Sequence, residues 1–149
     1  MKPVRWNIKP FTQLSTLELS KIYEARIAVF VVEQNCPYQD VDGYDLPALH
    51  LWAEDGGEII AYCRIFGPGI KYHECSLGRV LTHQNYRKLK IGKMMMKLAL
   101  ETVSTRFKTR AVRISAQDYL LSFYEEFGFE ITGKHYLEDN IAHSEMLRH

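Results

Sequence analysis

The chain has 149 residues, 46% apolar and 25% charged, with a net charge of +1. That balance suits a single domain over 1–149 with a full core. It argues against a general binder of nucleic acid or of membrane surfaces, whose footprint is strongly basic.

Residues 1–10 lack the apolar core of a signal peptide, and the longest apolar run, 27–32, is too short to cross a bilayer. A cytoplasmic location with no membrane partner is expected. Cys36, Cys63 and Cys75 fit no C-x-x-C or zinc spacing, and the six histidines form no H-E-x-x-H pattern. Reduced thiols and no metal site are expected.

Trp6 and Ile8 alternate with polar residues and predict a first strand ending near Pro10. Ser15 and Glu18 have the spacing of a capping box, and Leu19, Ile22, Tyr23, Arg26, Ile27 and Phe30 give the helix that follows one mostly apolar face as far as Val32. Residues 33–47 form a long connection rich in Asp, Pro, Gly and Tyr, and long connections are disproportionately functional. Its acids either supply turns and caps or form a mouth that attracts a cationic amine.

A hairpin is expected from strands over 50–54 and 59–66 around Asp55-Gly56-Gly57-Glu58. Arg64, inside the second strand, needs an anionic partner if buried. Strand 75–82, helix 91–106 and strand 111–116 then form a crossover unit whose strands run parallel. Leu120, Leu121, Phe123, Tyr124 and Phe127 predict a short helix over 117–127 closed by Gly128, and two final strands over 129–137 and 143–147 flank Glu138-Asp139-Asn140. The order βαβββαβαββ predicts an α/β (α+β) fold, with one mixed sheet and helices on both faces.

Residues 77–100 carry the chemistry. Gly78 inside a strand marks a bulge or a close approach of another chain or ligand. Arg87, Lys88, Lys90 and Lys93 gather around Gly92 at a helix N-terminus, where unpaired N–H groups and the helix dipole already favour an anion. Cations there suit a bound phosphate or pyrophosphate. The spacing is neither a P-loop, since Met94 follows Lys93, nor a G-x-G-x-x-G loop.

Arg87, Lys90 and Gly92 lie where the N-acetyltransferases of the GNAT superfamily carry their Q/R-x-x-G-x-G/A loop, and the chain resembles that family, with Lys88 and Lys90 at places where members often have Gly. The blocks 29–38, Asp40, Asp42-Gly43 and Asp45, and Ala116-Gln117, Phe123-Tyr124, Gly128-Phe129, Glu138-Asp139, Ile141, His143 and Met146 are similar to its ElaA-type branch. The resemblance implies a GNAT fold, mostly antiparallel, with acetyl-CoA in a V-shaped opening between splayed parallel strands 77–82 and 111–116. It implies pantetheine contacts from Val80, Leu81 and Thr82, a pyrophosphate over Arg87, Lys88, Leu89, Lys90, Ile91, Gly92 and Lys93, and Gln117 and Phe123 beside the cofactor.

The implied reaction is direct attack of a primary amine of a small molecule or peptide on the thioester. The Leu81 N–H is the candidate oxyanion donor and Tyr124 the candidate acid. Glu33, His50, His143 or an ordered water is the base. The alternative is a non-catalytic acetyl-CoA or CoA sensor. An edge strand near the C-terminus leaves room for a homodimer.

Overall fold

A computed structural model describes residues 3–149. Strand β1, Arg5–Pro10, leads through a short 3-10 turn into helix α1, Thr16–Arg26. The capping box forms: Ser15 Oγ accepts from the Glu18 N–H at 3.0 Å, and the Glu18 carboxylate accepts from the Ser15 N–H at 2.8 Å. The helix then widens into a π-helical stretch, Ile27–Glu33. Sequence periodicity anticipates a uniform helix here. The β-branched Ile27, Val29, Val31 and Val32 crowd the preceding turn, and the i→i−5 bonds Gln34 N–H to Val29 O (3.1 Å) and Cys36 N–H to Val31 O (3.0 Å) take over.

Strands β2, Leu49–Asp55, and β3, Glu58–Phe66, form the expected hairpin, with Gly56 and Gly57 both at positive φ as its two-residue turn requires. Strand β4, Ser76–Thr82, helix α2, Ile91–Phe107, and strand β5, Val112–Gln117, follow. The helix expected over 117–127 is shorter: β5 runs through Gln117, a 3-10 turn intervenes, and α3 spans Leu121–Glu125. Gly128, at φ +90°, closes it. Strands β6, Glu130–Glu138, and β7, Ile141–Arg148, meet at Asp139 and Asn140, both left-handed.

Two antiparallel sheets result, ordered β1-β2-β3-β4 and β5-β7-β6. Among the described residues their backbones join just before β4, through the parallel bridge of Cys75 with Val112 and the bond Arg113 N–H to Cys75 O at 2.9 Å. Arg113 pins this end further by pairing with Glu74 at 2.8 Å and Glu145 at 3.0 Å. Beyond it β4 and β5 diverge, as the splayed parallel pair expected from the resemblance.

β3 is buried along almost its whole length because helices cover both faces. Ala61, Cys63 and Ile65 pack with Met95, Met96 and Ala99 of α2. Tyr62 and Ile59 pack with Ile22, Val29 and Phe30 of α1 and its extension. No helix among the described residues is long and apolar enough to cross a membrane.

Candidate active site

Where β4 and β5 part, a cavity of about 470 Å³ opens. The bulge expected near Gly78 is present, but its left-handed residue is Arg79, at φ +50°. The register passes from Gly78 opposite Arg64 to Leu81 opposite Tyr62, so Arg79 and Val80 together face Cys63.

The bond His83 N–H to Ile60 O at 2.8 Å sets the alternation of the β3–β4 ladder. Leu81 and Tyr62 are then a bonded pair, and the Thr82 groups point away from β3. The Thr82 carbonyl accepts from Arg87 Nε at 3.0 Å. This corrects the reading of Leu81 as oxyanion donor, since its N–H is directed to β3. The β4 residues here whose backbone groups have no ladder partner on β3 are Val80 and Thr82, both of which line the cavity.

Past β4 a 3-10 turn, Gln84–Leu89, ends at Lys90, which adopts φ +59° as the N-cap of α2. Its side chain caps nothing, so the first N–H groups of α2 have no side-chain partner. Gly92 lets this terminus sit close to β4: a Cβ there would lie 3.2 Å from Thr82 Oγ1 and 3.8 Å from the Phe123 ring.

Val80, Leu81, Thr82, Arg87, Lys90, Gly92, Lys93, Gln117, Phe123, Tyr124 and His143 all line the cavity. Lys88, Leu89 and Ile91 do not. The Ile91 side chain is fully buried in the core, which leaves its N–H as its contribution to an anion site.

Tyr124 is 5% exposed and packs edge-on against Phe123 and Phe129. Burial, followed by the nearby Cys63, raises its pKa well above the usual tyrosine value. Its hydroxyl is therefore a proton donor at neutral pH.

The three candidate bases separate. His50 is fully buried, and its ring nitrogens meet the Tyr62 hydroxyl at 2.7 Å and the Asp45 carbonyl at 2.9 Å, away from the cavity. Burial lowers its pKa. The Glu33 carboxylate is gripped by Arg87 at 2.7 and 2.8 Å and is not part of the cavity wall.

His143 is in the wall. Its Nδ1 lies 2.7 Å from the Ile141 carbonyl, which only accepts, so Nδ1 carries a proton. Its Nε2 lies 3.2 Å from a Glu138 carboxylate oxygen.

The acidic connection is not an open mouth. Arg26 pairs with Asp40 (3.0 Å) and Asp45 (2.6 Å), Arg64 with Asp45 (3.1 Å) and Asp42 (2.6 Å), and Arg79 with Asp42 (3.2 Å) and Asp40 (3.0 Å). This is a closed ring of alternating charge, largely out of solvent. Arg64 finds the carboxylate partners that its position in the strand required.

Three contacts strap the end of the α1 extension across the opening. Besides Glu33 to Arg87, Gln34 and Gln117 exchange side-chain amide bonds at 3.0 and 3.2 Å, and Cys36 Sγ reaches the Asp139 carbonyl at 3.4 Å. Gln34, Tyr38, Lys71, Tyr72 and Glu138 line the cavity without having been singled out as site residues in the sequence. Lys71 sits in no motif. Only the spacing of Glu138 to His143 across a hairpin turn carried a usable signal.

A splayed strand pair beside an uncapped helix N-terminus, with backbone groups and a protonated tyrosine in one cavity, defines an acyl-CoA N-acyltransferase class of fold and site. Residues 18–148 match the acetyltransferase (GNAT) domain family, and the chain belongs to that family. It is 37% identical to Protein ElaA of Escherichia coli strain K12 over 97% of this chain and 96% of that protein.

The crystal structure of Escherichia coli ElaA matches with a TM-score of 0.91 at 36% identity, covering 99% of this chain and all of the other. An acyl-CoA N-acyltransferase from Pseudomonas aeruginosa matches with a TM-score of 0.90 at 37% identity, covering 97% and 99%.

Proposed function

We propose that the protein transfers the acetyl group of acetyl-CoA to a primary amine. The observation that carries this reading is the meeting, in one cavity, of the Val80 and Thr82 backbone groups, the open N-terminus of α2 and the Tyr124 hydroxyl.

Pantetheine amides add along β4 in the manner of a strand, and the pyrophosphate rests on the N–H groups of Ile91, Gly92 and Lys93 with Lys90 and Arg87 beside it. About 470 Å³ must hold the pantetheine arm, the acyl group and the acceptor together, which favours a small acyl group.

The acceptor arrives as an ammonium. His143 Nε2 and the half-exposed Glu138 carboxylate touch at 3.2 Å; the ammonium opens this contact, donating to the Glu138 carboxylate on one side and passing one proton to the unprotonated Nε2 on the other. The freed amine attacks the thioester carbonyl, and the Val80 N–H stabilises the oxyanion, a contribution of about 3 kcal/mol per donor in acyl transfer. The C–S bond breaks, Tyr124 gives its proton to the leaving thiolate, and the second proton shed by the acylated nitrogen restores the Tyr124 hydroxyl through solvent, leaving the proton on His143 as the one released. The products are an N-acetyl amine and CoA thiol, with one proton released.

The test is thiol release from acetyl-CoA with a panel of amino acids, polyamines and lysyl peptides. Release matched by the mass of an acetylated amine is expected. Binding of acetyl-CoA without thiol release on any amine would identify a sensor instead.

A further inference from the structure

The charge balance at the acceptor end of the cavity names a class of acceptor, and this inference rests on the transferase reading above. In the ring of Arg26, Asp40, Arg79, Asp42, Arg64 and Asp45 every arginine bridges two aspartates and every aspartate two arginines, so the ring is neutral.

Lys71 lies outside it. Its ammonium sits 3.9 Å from the Tyr44 ring centroid, lines the cavity, and makes no ion pair with any described residue. Partial burial, with Arg64 and Arg79 nearby, holds its pKa below the ordinary lysine value. Beside it the Tyr72 hydroxyl lines the same cavity and makes no side-chain hydrogen bond among the described residues; burial pushes it up to about 12, so it stays protonated. A surplus cation and a hydroxyl donor therefore stand in the wall that also carries the Glu138–His143 pair.

We propose that the acceptor is an amine that also carries a carboxylate, with Lys71 and Tyr72 taking the carboxylate and the Glu138–His143 pair taking the ammonium. The acids of the 33–47 connection are spent on arginines, which leaves Lys71 as a cation in the wall without a carboxylate of its own. One ammonium and one neutral hydroxyl suit a monoanion, so carboxylate rather than phosphate is the group assigned.

The test is the specificity constant for amines matched in pairs: L-methionine against L-methioninamide, L-lysine against 1,5-diaminopentane, and β-alanine against O-phosphoethanolamine. Carboxylate-bearing members should be preferred by about tenfold or more, the usual worth of one charge-assisted contact. Lys71→Met should remove that preference by raising the acceptor KM while leaving kcat and the acetyl-CoA KM within about twofold, and Lys71→Arg should restore it.

Equal or better use of the amides or of diaminopentane by the wild type, better use of O-phosphoethanolamine than of β-alanine, or an unchanged preference in Lys71→Met would overturn the assignment and leave the transferase reading standing. Failure to acetylate any amine while acetyl-CoA still raises the unfolding temperature would remove both.

Discussion

Tyr124 presents a proton that burial keeps on its oxygen. A free thiol titrates near 8.5, so the CoA thiolate departs tolerably without help, and the acid contributes to turnover more than to binding. Tyr124→Phe should lower kcat about 10- to 100-fold with acetyl-CoA affinity unchanged. Stopped-flow thiol release and calorimetric binding measured side by side decide this, and undiminished kcat would remove Tyr124 as the acid.

Arg26 acts on stability instead. Its side chain is wholly buried between Asp40 and Asp45, and removing one partner of a buried ion pair leaves uncompensated charge costing about 3–5 kcal/mol. Arg26→Met should therefore lower the urea midpoint by a corresponding amount, whereas a change under about 1 kcal/mol would show that the ring holds without it.

Tyr124 and Gly92 were legible in the sequence because motif and spacing single them out. The ring was not, because its six members are scattered from 26 to 79 and only the fold brings them together.

The elements differ in how far local patterns reveal them. Ser15 and Glu18 announce α1, Gly56-Gly57 the β2–β3 turn, and Gly128 the end of α3, because each motif is satisfied by its own neighbours. The π-helical extension of α1 follows from its crowded β-branched residues, which helical periodicity does not distinguish, and Gly78 marks the β4 bulge without showing that Arg79 is the residue that turns left-handed. The extension has a consequence for binding, since it carries Glu33 to Arg87 across the opening.

That pair is partly exposed, with 43% and 33% of its side chains accessible, so it is worth under about 1 kcal/mol and is easily exchanged for phosphate. Glu33→Gln should raise acetyl-CoA affinity by a few-fold at most, and Arg87→Ala should weaken it about tenfold with a shallower salt dependence. Isothermal titration at two ionic strengths separates them, and equal affinities for both variants and the wild type would exclude Arg87 from the phosphate site.

For the whole molecule, two sheets held at one end make an opening whose stability depends on that end. Hydrogen bonding to Arg113 lowers the Glu74 pKa from 4.5 to about 2. Its stabilisation is therefore present above pH 4.5 and is lost as pH falls toward 2. His50, held neutral by burial below its ordinary 6.5, favours the unfolded chain as pH drops under that value. Urea midpoints should thus decline below about pH 6.5 and again below 4.5, and Glu74→Gln should flatten the second decline while leaving the first.

The opening itself is where an acyl-CoA belongs, and thermal unfolding with acetyl-CoA, CoA and ATP tests that most directly. At a hundredfold excess over the dissociation constant, acetyl-CoA and CoA should each add about 2.7 kcal/mol, roughly 5–10 °C for a chain of this size, with little effect from ATP. No shift with either thioester or thiol, or a shift with ATP alone, would contradict an acyl-CoA site between β4 and β5.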